Sequence, residues 1–331
     1  MRIAKTLSLH RSIRFCLIVI CLSASALMAA PRCPLTPAPQ ALFPAEKNEL
    51  LFATQNLWRL VDDHTDASAD RAVSPQYFKQ RLHAVAEYIG ATLRWPHFLA
   101  VQEVENAKMM HALADEIKRI GGPEYQFVLK DSLDPSGIDV AVLYRAPVKI
   151  GKIESPFHEM RFKRSPLYSR PPLVVTLTQP IAMTAAVVHL RSGINLEDER
   201  KGKNVQAKRR QQANVLRDWM VKKERSGESV MVLGDFNSSY GDPVYAESIA
   251  ILDKTPFESV WYLIPEADRF SYIYQCNPQA IDNILIGKKL SARINRAAFS
   301  RGNAGYQYYL YKRKAPYFIS DHDALGVYLK Y

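Results

Sequence analysis

Short apolar runs that alternate with amphipathic stretches predict an α/β (or α+β) fold for this sequence. Three observations carry that reading. Runs such as Leu50–Asn56 (LLFATQN), Ile138–Tyr144 (IDVAVLY) and Ser229–Leu233 (SVMVL) are short, rich in Val, Ile and Leu and bounded by turn residues, as buried strands are. Between several of them, apolar residues recur at helical spacing, so the two kinds of element alternate along the chain. Polar residues of the kinds that do chemistry collect at the strand ends. With 331 residues and 47% hydrophobic composition, the chain can bury the core of one large domain or of two small ones, which excludes a disordered chain.

Taken in order, residues 1–30 stand apart. Arg2, Lys5, Arg11 and Arg14 precede an uncharged run from Phe15 to Met28, followed by Ala29 and Ala30. A basic region, a short apolar region and small residues near a cut predict a secretory signal peptide, with a retained signal anchor as the alternative. The mature protein is then expected to be secreted or periplasmic, with no stable membrane insertion. Removing four positive charges and no negative ones takes the formal net charge from +11 to +7, a sign that suits polyanions such as nucleic acid or anionic lipid. Cys33 and Cys276 are the cysteines left; one disulfide and two buried thiols are both open. Residues 31–48, rich in Pro and Ala, read as an extended lead-in, and 49–331 as the domain proper.

In that domain the strand Leu50–Asn56 ends on Asn56. Ser74 is a candidate N-cap, with Pro75 in the first turn and Tyr77, Leu82, Val85, Ala86 and Ile89 at helical spacing. His97–Val101 is a strand that runs into Gln102 and Glu103. A Glu at the exit of a buried strand needs a reason, and metal ligation supplies one. Asn106–Ile120 is an amphipathic helix closed by Gly121 and Gly122. Tyr125–Lys130 and Ile138–Tyr144 read as adjacent strands, the second carrying Asp139, and a carboxylate within an apolar strand is usually paired. Leu173–Leu177 and Ile181–His189 are strands, the latter ending on His189. Asn204–Trp219 is a helix whose Lys208, Arg209 and Arg210 mostly suit a solvated face. Ala280–Gly287 is a strand with Asp282, and Phe318–Leu329 (FISDHDALGVYL) holds Ser320, Asp321 and His322 ahead of a last strand.

The stretch Glu228–Asp242 (ESVMVLGDFNSSYGD) concentrates the chemistry. Asp235 and Asn237 are two apart, so in extended backbone they share a face while Phe236 packs the other way. A carboxylate beside a neutral oxygen suits a hard divalent ion or a positioned water; a polar turn is the plainer reading of the same residues. Asn56, Glu103, Asp139, His189, Asp235, Asn237, Asp282, Asp321 and His322 are weak signals singly. If they converge, Glu103 and Asp321 can hold Mg²⁺ or Mn²⁺, with Ca²⁺ a third choice, while two histidines with nearby acids shuttle protons. Oxygen ligands without a cysteine cluster argue against zinc.

QNLW at Asn56, VQEVEN at Glu103, GIDVAVLYR at Asp139, VVHLRSG at His189, LGDFN at Asp235 and Asn237, AIDNIL at Asp282 and SDHDAL at Asp321 and His322 together resemble the endonuclease/exonuclease/phosphatase, DNase I-like, superfamily, in its order. The resemblance runs from about Leu50 to the C-terminus. It implies a four-layered sandwich of two packed mixed β-sheets with helices outside, and metal-dependent hydrolysis of phosphate esters. It implies Glu103 as metal ligand with Asn56 and Asp321 near it, and Asp235 and Asn237 orienting water and phosphate. It further implies two supported histidines, His322 by Asp282 and His189 by Asp139. Arg170, in SRPPLVV, matches an Arg-x-Pro element that contacts phosphate in DNase I-like enzymes. Glu105 departs from the arginine that such enzymes carry two residues after the metal-binding Glu. Arg269–Ile286 looks most like bacterial secreted nucleases.

The expectation is a secreted nuclease acting as a monomer on DNA or RNA. A phosphatase or phospholipase acting on a small or lipid phosphoester, and an idle binding module on the same fold, are the alternatives. In Phe299–Phe318, tyrosines including Tyr309 interleave with Lys312, Arg313 and Lys314, a pattern that suits stacking and phosphate contact with an unpaired strand, or equally a solvated basic turn.

Overall fold

The computed structural model describes residues 37–331 except 67, 70, 71, 242, 254, 255, 306–309 and 311. Its strands are β1 (Glu49–Leu60), β2 (Phe98–Val104), β3 (Gln126–Leu129), β4 (Asp139–Tyr144), β5 (Lys149–Glu154), β6 (Arg161–Phe162), β7 (Ser165–Pro166), β8 (Leu173–Gln179) and β9 (Met183–His189). They continue with β10 (Val230–Asp235), β11 (Phe257–Ser259), β12 (Tyr272–Tyr274), β13 (Asn277–Gln279), β14 (Asp282–Gly287), β15 (Ile294–Phe299) and β16 (Leu325–Lys330). The α-helices are α1 (Pro75–Ala91), α2 (Ala107–Arg119), α3 (Gly202–Arg225), α4 (Pro243–Leu252) and the single turn α5 (Lys288–Ser291).

Two six-stranded sheets result, ordered β15-β16-β1-β2-β4-β3 and β11-β14-β10-β9-β8-β5. Both are mixed: β1 runs parallel to β2 and β9 to β10, and the other pairings are antiparallel. Alternation along the strands builds the layers. Leu50 and Phe52 point into the core between the sheets, where the Phe52 and Phe98 rings stack at 5.1 Å. Leu51 and Ala53 point the other way, onto Leu82 and Val85 of α1 and Met109 and Leu113 of α2. On the outer side of the second sheet, Ala213, Leu216 and Met220 of α3 join the same apolar cluster. A strand covered on both faces reads as a continuous apolar run, which is why these runs stood out.

The caps follow from local chemistry. Ser74 Oγ accepts the Tyr77 N–H at 3.2 Å, and Asn106 Oδ1 accepts that of Met109 at 2.9 Å, each satisfying an orphan donor of a first helical turn. On α3, Arg209 departs from the solvated-face expectation. It is buried, and its guanidinium donates to the carbonyls of Arg191 (2.6 Å) and Tyr245 (3.1 Å), whereas Arg210 reaches Glu247 at the surface. The described part of the Pro-rich lead-in is tied to the domain by backbone hydrogen bonds between Gln40 and Arg301. Cys276 is disulfide-bonded, and Cys33 lies outside the described residues.

The topology places the chemistry. Parallel β9 and β10 end together, and antiparallel β14 begins beside them, so Asp282, Asp235 and His189 are register partners in one row across the second sheet. Parallel β1 and β2 end together in the first sheet, where Asn56 faces Gln102 and Glu103 follows at an irregularity in the ladder.

Candidate active site

Asn56 joins the two sheets. Its Nδ2 donates to Glu103 Oε1 at 3.2 Å and to Asp235 Oδ2 at 3.1 Å, while its Oδ1 accepts the Trp58 N–H at 2.9 Å. Glu103 is the one member of β2 in left-handed backbone, with φ of 61°, a strained setting that turns its carboxylate out of the strand pleat. Its Oε2 accepts the Arg59 N–H at 3.1 Å. Asp235 Oδ1 accepts the Asn237 N–H at 2.7 Å, and Asn237, itself at φ of 49°, donates through Nδ2 to the carbonyl of Leu190. The i, i+2 pair therefore converges by a tight turn, with Asn237 set by its own backbone contact to Asp235.

His322 and Asp282 form a buried pair, Nδ1 to Oδ2 at 2.7 Å. The carbonyl of His322 accepts from Gln55 Nε2 (3.0 Å) and Asn303 Nδ2 (2.9 Å), and its N–H donates to Ser320 Oγ, whose own hydrogen goes to the carbonyl of Asn56. Burial alone would lower the His322 pKa, but Asp282, followed by Asp321 and Asp235, outweighs it and holds the imidazolium well above the ordinary histidine range. His322 Nε2 lies 3.7 Å from Asp321 Oδ1. Burial pushes Asp321 up to about 6, with His322 opposing and Glu103 adding to the shift. Burial and then Asp282 push Asp235 up to about 7.

His189 is differently placed from the expectation. Its Nε2 is 3.5 Å from Asp235 Oδ2 and 3.9 Å from Glu103 Oε1, and its Nδ1 is buried with no hydrogen-bond partner. Asp139 instead accepts the Ser132 N–H at 2.8 Å, so the expected His189–Asp139 hydrogen bond is not formed. Burial, then the charges of Arg170, His322 and Arg59, push His189 well below the usual histidine value, whereas burial takes Asp139 up to about 7.

A cleft of about 740 Å³ opens over these groups. Glu103, His189, Asp235, Asn237, Asp321 and His322 line it, with Arg170 and Arg59 on its wall. Arg170 is steered by Asp134, Nη1 to Oδ2 at 2.7 Å. Glu105 turns away from the cleft: its Oε2 accepts the Asp62 N–H at 2.7 Å and it is buried, so the residue that departs from the DNase I-like pattern anchors the chain after β1. Lys312 and Arg313 are exposed and do not line the cleft, and Tyr309 lies outside the described residues.

Three contributors were missed by the sequence reading. Arg81 of α1 is buried, and its Nη2 donates to the carbonyls of Leu57 (2.6 Å) and Trp58 (2.7 Å), holding the irregular stretch of β1 after Asn56; a lone arginine on a helix gives no signal of this. Ser271 Oγ accepts the Asp282 N–H at 3.1 Å. Tyr272 lays its ring 5.1 Å from the His322 imidazole, a position that only the β12–β13 ribbon explains.

The donor set suits a hard divalent cation. Asp235, Asp282 and His322 bring ligand atoms within 4.8 Å of one another, and Asp282 Oδ1 is buried without a hydrogen-bond partner. Because Asp282 Oδ2 and His322 Nδ1 are spent on each other and both residues are buried, the more open Glu103 and Asp321 carboxylates are the better seat. Oxygen donors of this kind fit Mg²⁺ or Mn²⁺ better than softer ions. Elsewhere Asp62, Asp63 and His64 also cluster, but Lys108 Nζ already sits 3.0 Å from Asp62.

Comparison with known proteins agrees with this fold. The Endonuclease/Exonuclease/phosphatase family pattern matches residues 45–304. No curated protein matches the chain. Among solved structures, an AP endonuclease from Archaeoglobus fulgidus is similar at a TM-score of 0.58 and 16% identity, over 85% of this chain and 100% of that one. TDP2 from C. elegans is similar at 0.57 and 14%, over 87% and 76%. The 3′ phosphatase NExo from Neisseria, bound to product DNA hairpin, is similar at 0.56 and 15%, over 85% and 100%. At these identities the structures speak for the fold, a two-sheet sandwich with outer helices, and the family match covers most of the chain: this protein belongs to the endonuclease/exonuclease/phosphatase family of hydrolases acting on phosphodiester bonds.

Proposed function

We propose that the protein is a secreted, divalent-metal-dependent nuclease that hydrolyses phosphodiester bonds of DNA or RNA. The observation that carries this reading is the double contact of Asn56 with Glu103 and Asp235, which locks a metal-type carboxylate of one sheet to a base-type carboxylate of the other, beside the Asp282–His322 pair. A phosphodiester is an anion attacked by a poor nucleophile, so it needs a cation, a base for water and a proton for the leaving oxygen. Glu103, with Asp321 and Asn56 beside it, would hold the cation, which offsets negative charge on the phosphate when bound. Asp235, its two oxygens fixed by Asn56 and by the Asn237 N–H, is set to take a proton from water. His322 keeps Nδ1 on Asp282, so its Nε2–H is free to meet a phosphoryl oxygen. His189, near Asp235, is placed to pass a proton along that side, and Arg170, held by Asp134, to meet a second oxygen.

Nucleic acid as substrate is supported by the positive sign of the chain and by the DNA-directed names of the similar structures. The disulfide at Cys276 suits an oxidising compartment, in line with the signal-peptide reading of residues 1–30. Among the described residues no helix is long and apolar enough to cross a membrane. The test is digestion of plasmid, single-stranded DNA and RNA with Mg²⁺, Mn²⁺, Ca²⁺ or EDTA, beside a lipid and a sugar phosphate. Cleavage of a polynucleotide with Mg²⁺ or Mn²⁺ and none with EDTA is expected; a strong preference for a lipid or sugar phosphate overturns the reading.

A further inference from the structure

We propose that the β12–β13 ribbon is a stacking platform for the base beside the scissile phosphate, and that the substrate is therefore an unpaired strand. This rests on the nuclease reading of the same cleft. Tyr272 and Tyr274 are two apart on β12 and so share a face. Their rings are nearly parallel, at 14° with centroids 6.5 Å apart. Tyr272 is the inner ring, beside His322, and Tyr274 is the outer one, 50% exposed; both line the cleft. Ile273 between them packs on the opposite side, at Gly305, so the alternation leaves the two tyrosines on the cleft side.

A ribbon of three residue pairs is marginal by itself, yet this one is closed by a tight turn at its tip and held at its base. At its tip, Gln275 and Cys276 have φ of 46° and 66°, the pattern of a two-residue hairpin turn whose twist matches the strands, and Cys276 is disulfide-bonded. At its base, Ser271 accepts the Asp282 N–H through Oγ and the Asp323 N–H through its carbonyl at 2.7 Å. The ribbon is thus clamped to Asp282 itself and to Asp323, the neighbour of His322, so the rings stand at a set distance from the His322 imidazole. Its other exposed side chains are the amides Gln275 and Asn277 and the small ring of Pro278, which suits a flat heteroaromatic base with polar edges better than an acyl chain. A base within a duplex is covered on both faces by its neighbours; an unpaired base has a face to offer, and stacking on it is indifferent to sequence.

The experiment uses single-stranded oligonucleotides protected by phosphorothioates at every linkage but one, with the residue beside the open linkage either normal or abasic. For the wild type, kcat/KM with the base is expected to exceed that without it by about tenfold, the scale of one stacked base. Tyr274→Ala should bring that ratio close to one, Tyr274→Phe should keep it, and annealing the complement should slow the wild type. Tyr274 is exposed, and a thermal melt of each variant checks the fold. A wild-type ratio near one, or an unchanged ratio in Tyr274→Ala, overturns the platform while leaving the nuclease reading intact. Failure of the wild type to cut either oligonucleotide, with hydrolysis of a lipid or sugar phosphate, overturns the nuclease reading and the platform with it.

Discussion

Gly234, the residue before Asp235, offers the sharpest test of how the fold sets the site. Its φ of 145° lies where L side chains rarely go, and a Cβ built on it would stand 2.0 Å from the carbonyl oxygen of Val188. That oxygen belongs to the neighbouring strand, and Gly234 and Val188 are register partners, so it cannot rotate away as a side chain would. Forcing a side chain into such backbone costs about 1–3 kcal/mol, and the overlap adds about 1–3 kcal/mol more through strand displacement. Gly234→Ala should therefore lose about 2–6 kcal/mol, a large part of the roughly 5–15 kcal/mol that holds a domain together. At about 2 °C per kcal/mol for a domain of this size, the melting temperature should fall by about 4–12 °C. Gly121→Ala is the control, because Gly121 also has positive φ, 86°, yet nothing lies within 4 Å of its added Cβ. It should lose only about 1 kcal/mol. Since the next register pair is Asp235 with His189, parting β9 from β10 also moves those two side chains, and the folded fraction of Gly234→Ala should be close to inactive. Differential scanning calorimetry with nuclease assays decides it. A Gly234→Ala protein that melts within about 2 °C of Gly121→Ala and keeps its activity would refute the packing argument.

Other perturbations reach the same machinery. Glu103→Gln should cost activity by at least about a hundredfold with an unchanged melt, and full activity after exhaustive chelation would rule out the cation. His322→Ala should lower turnover about a hundredfold or more; Asp282→Asn should move the His322 limb of the pH–rate profile to lower pH, since Asp282 is the chief group raising it, and an unmoved limb would break the pair. His97 gives a stability test away from the site. Its Nδ1 accepts the Leu51 N–H at 3.0 Å, and burial, then Arg145, pushes it down to about 4. The unfolded chain takes up the proton first, so this stability is whole above the ordinary histidine pKa of about 6.5 and drains away as the pH falls toward 4. Discounted for the ring's partial exposure, the loss between about pH 7 and pH 5 should be about 1 kcal/mol. His97→Asn should lose less over that interval, and equal losses in urea titrations would refute the assignment.

Legibility in the sequence followed burial. Val230–Asp235 and Asp139–Tyr144 were plain because both faces of each strand are covered, so each is an apolar run with its carboxylate at one end, Asp235 last and Asp139 first. β5 (KIGKIE) and β15 (INRAAF) were missed because they are edge strands with mixed, partly exposed sides, and neither alternation nor an apolar run survives in them. The site residues were legible as strand-end polar groups, since a buried strand has few other uses for Glu103 or Asp282. Their partners were not. Pairing His189 with Asp139 requires two side chains from different sheets to meet, and strand order carries no information about that; the register row instead puts His189 beside Asp235.

That register row also explains why one strand end from each sheet is not enough. Asp235 could accept a proton alone, but Asn56 reaches it only because β1 stands at the centre of the opposite sheet and ends level with β10. The same residue touches Glu103 because β2 is the parallel neighbour of β1. Parallel pairing at the centre of both sheets therefore does the positioning: it ends four strands at one rim, where loops rather than ladders follow and side chains are free to converge. Antiparallel β14 and β16 also begin at that rim, with Asp282 opening β14 and His322 just ahead of β16, whereas the edge strands β5 and β15 give the cleft no lining residue. A variant that disturbs this rim, as Gly234→Ala does, should thus be far more damaging to activity than one of equal thermodynamic cost on β5, where no catalytic group depends on the strand's level.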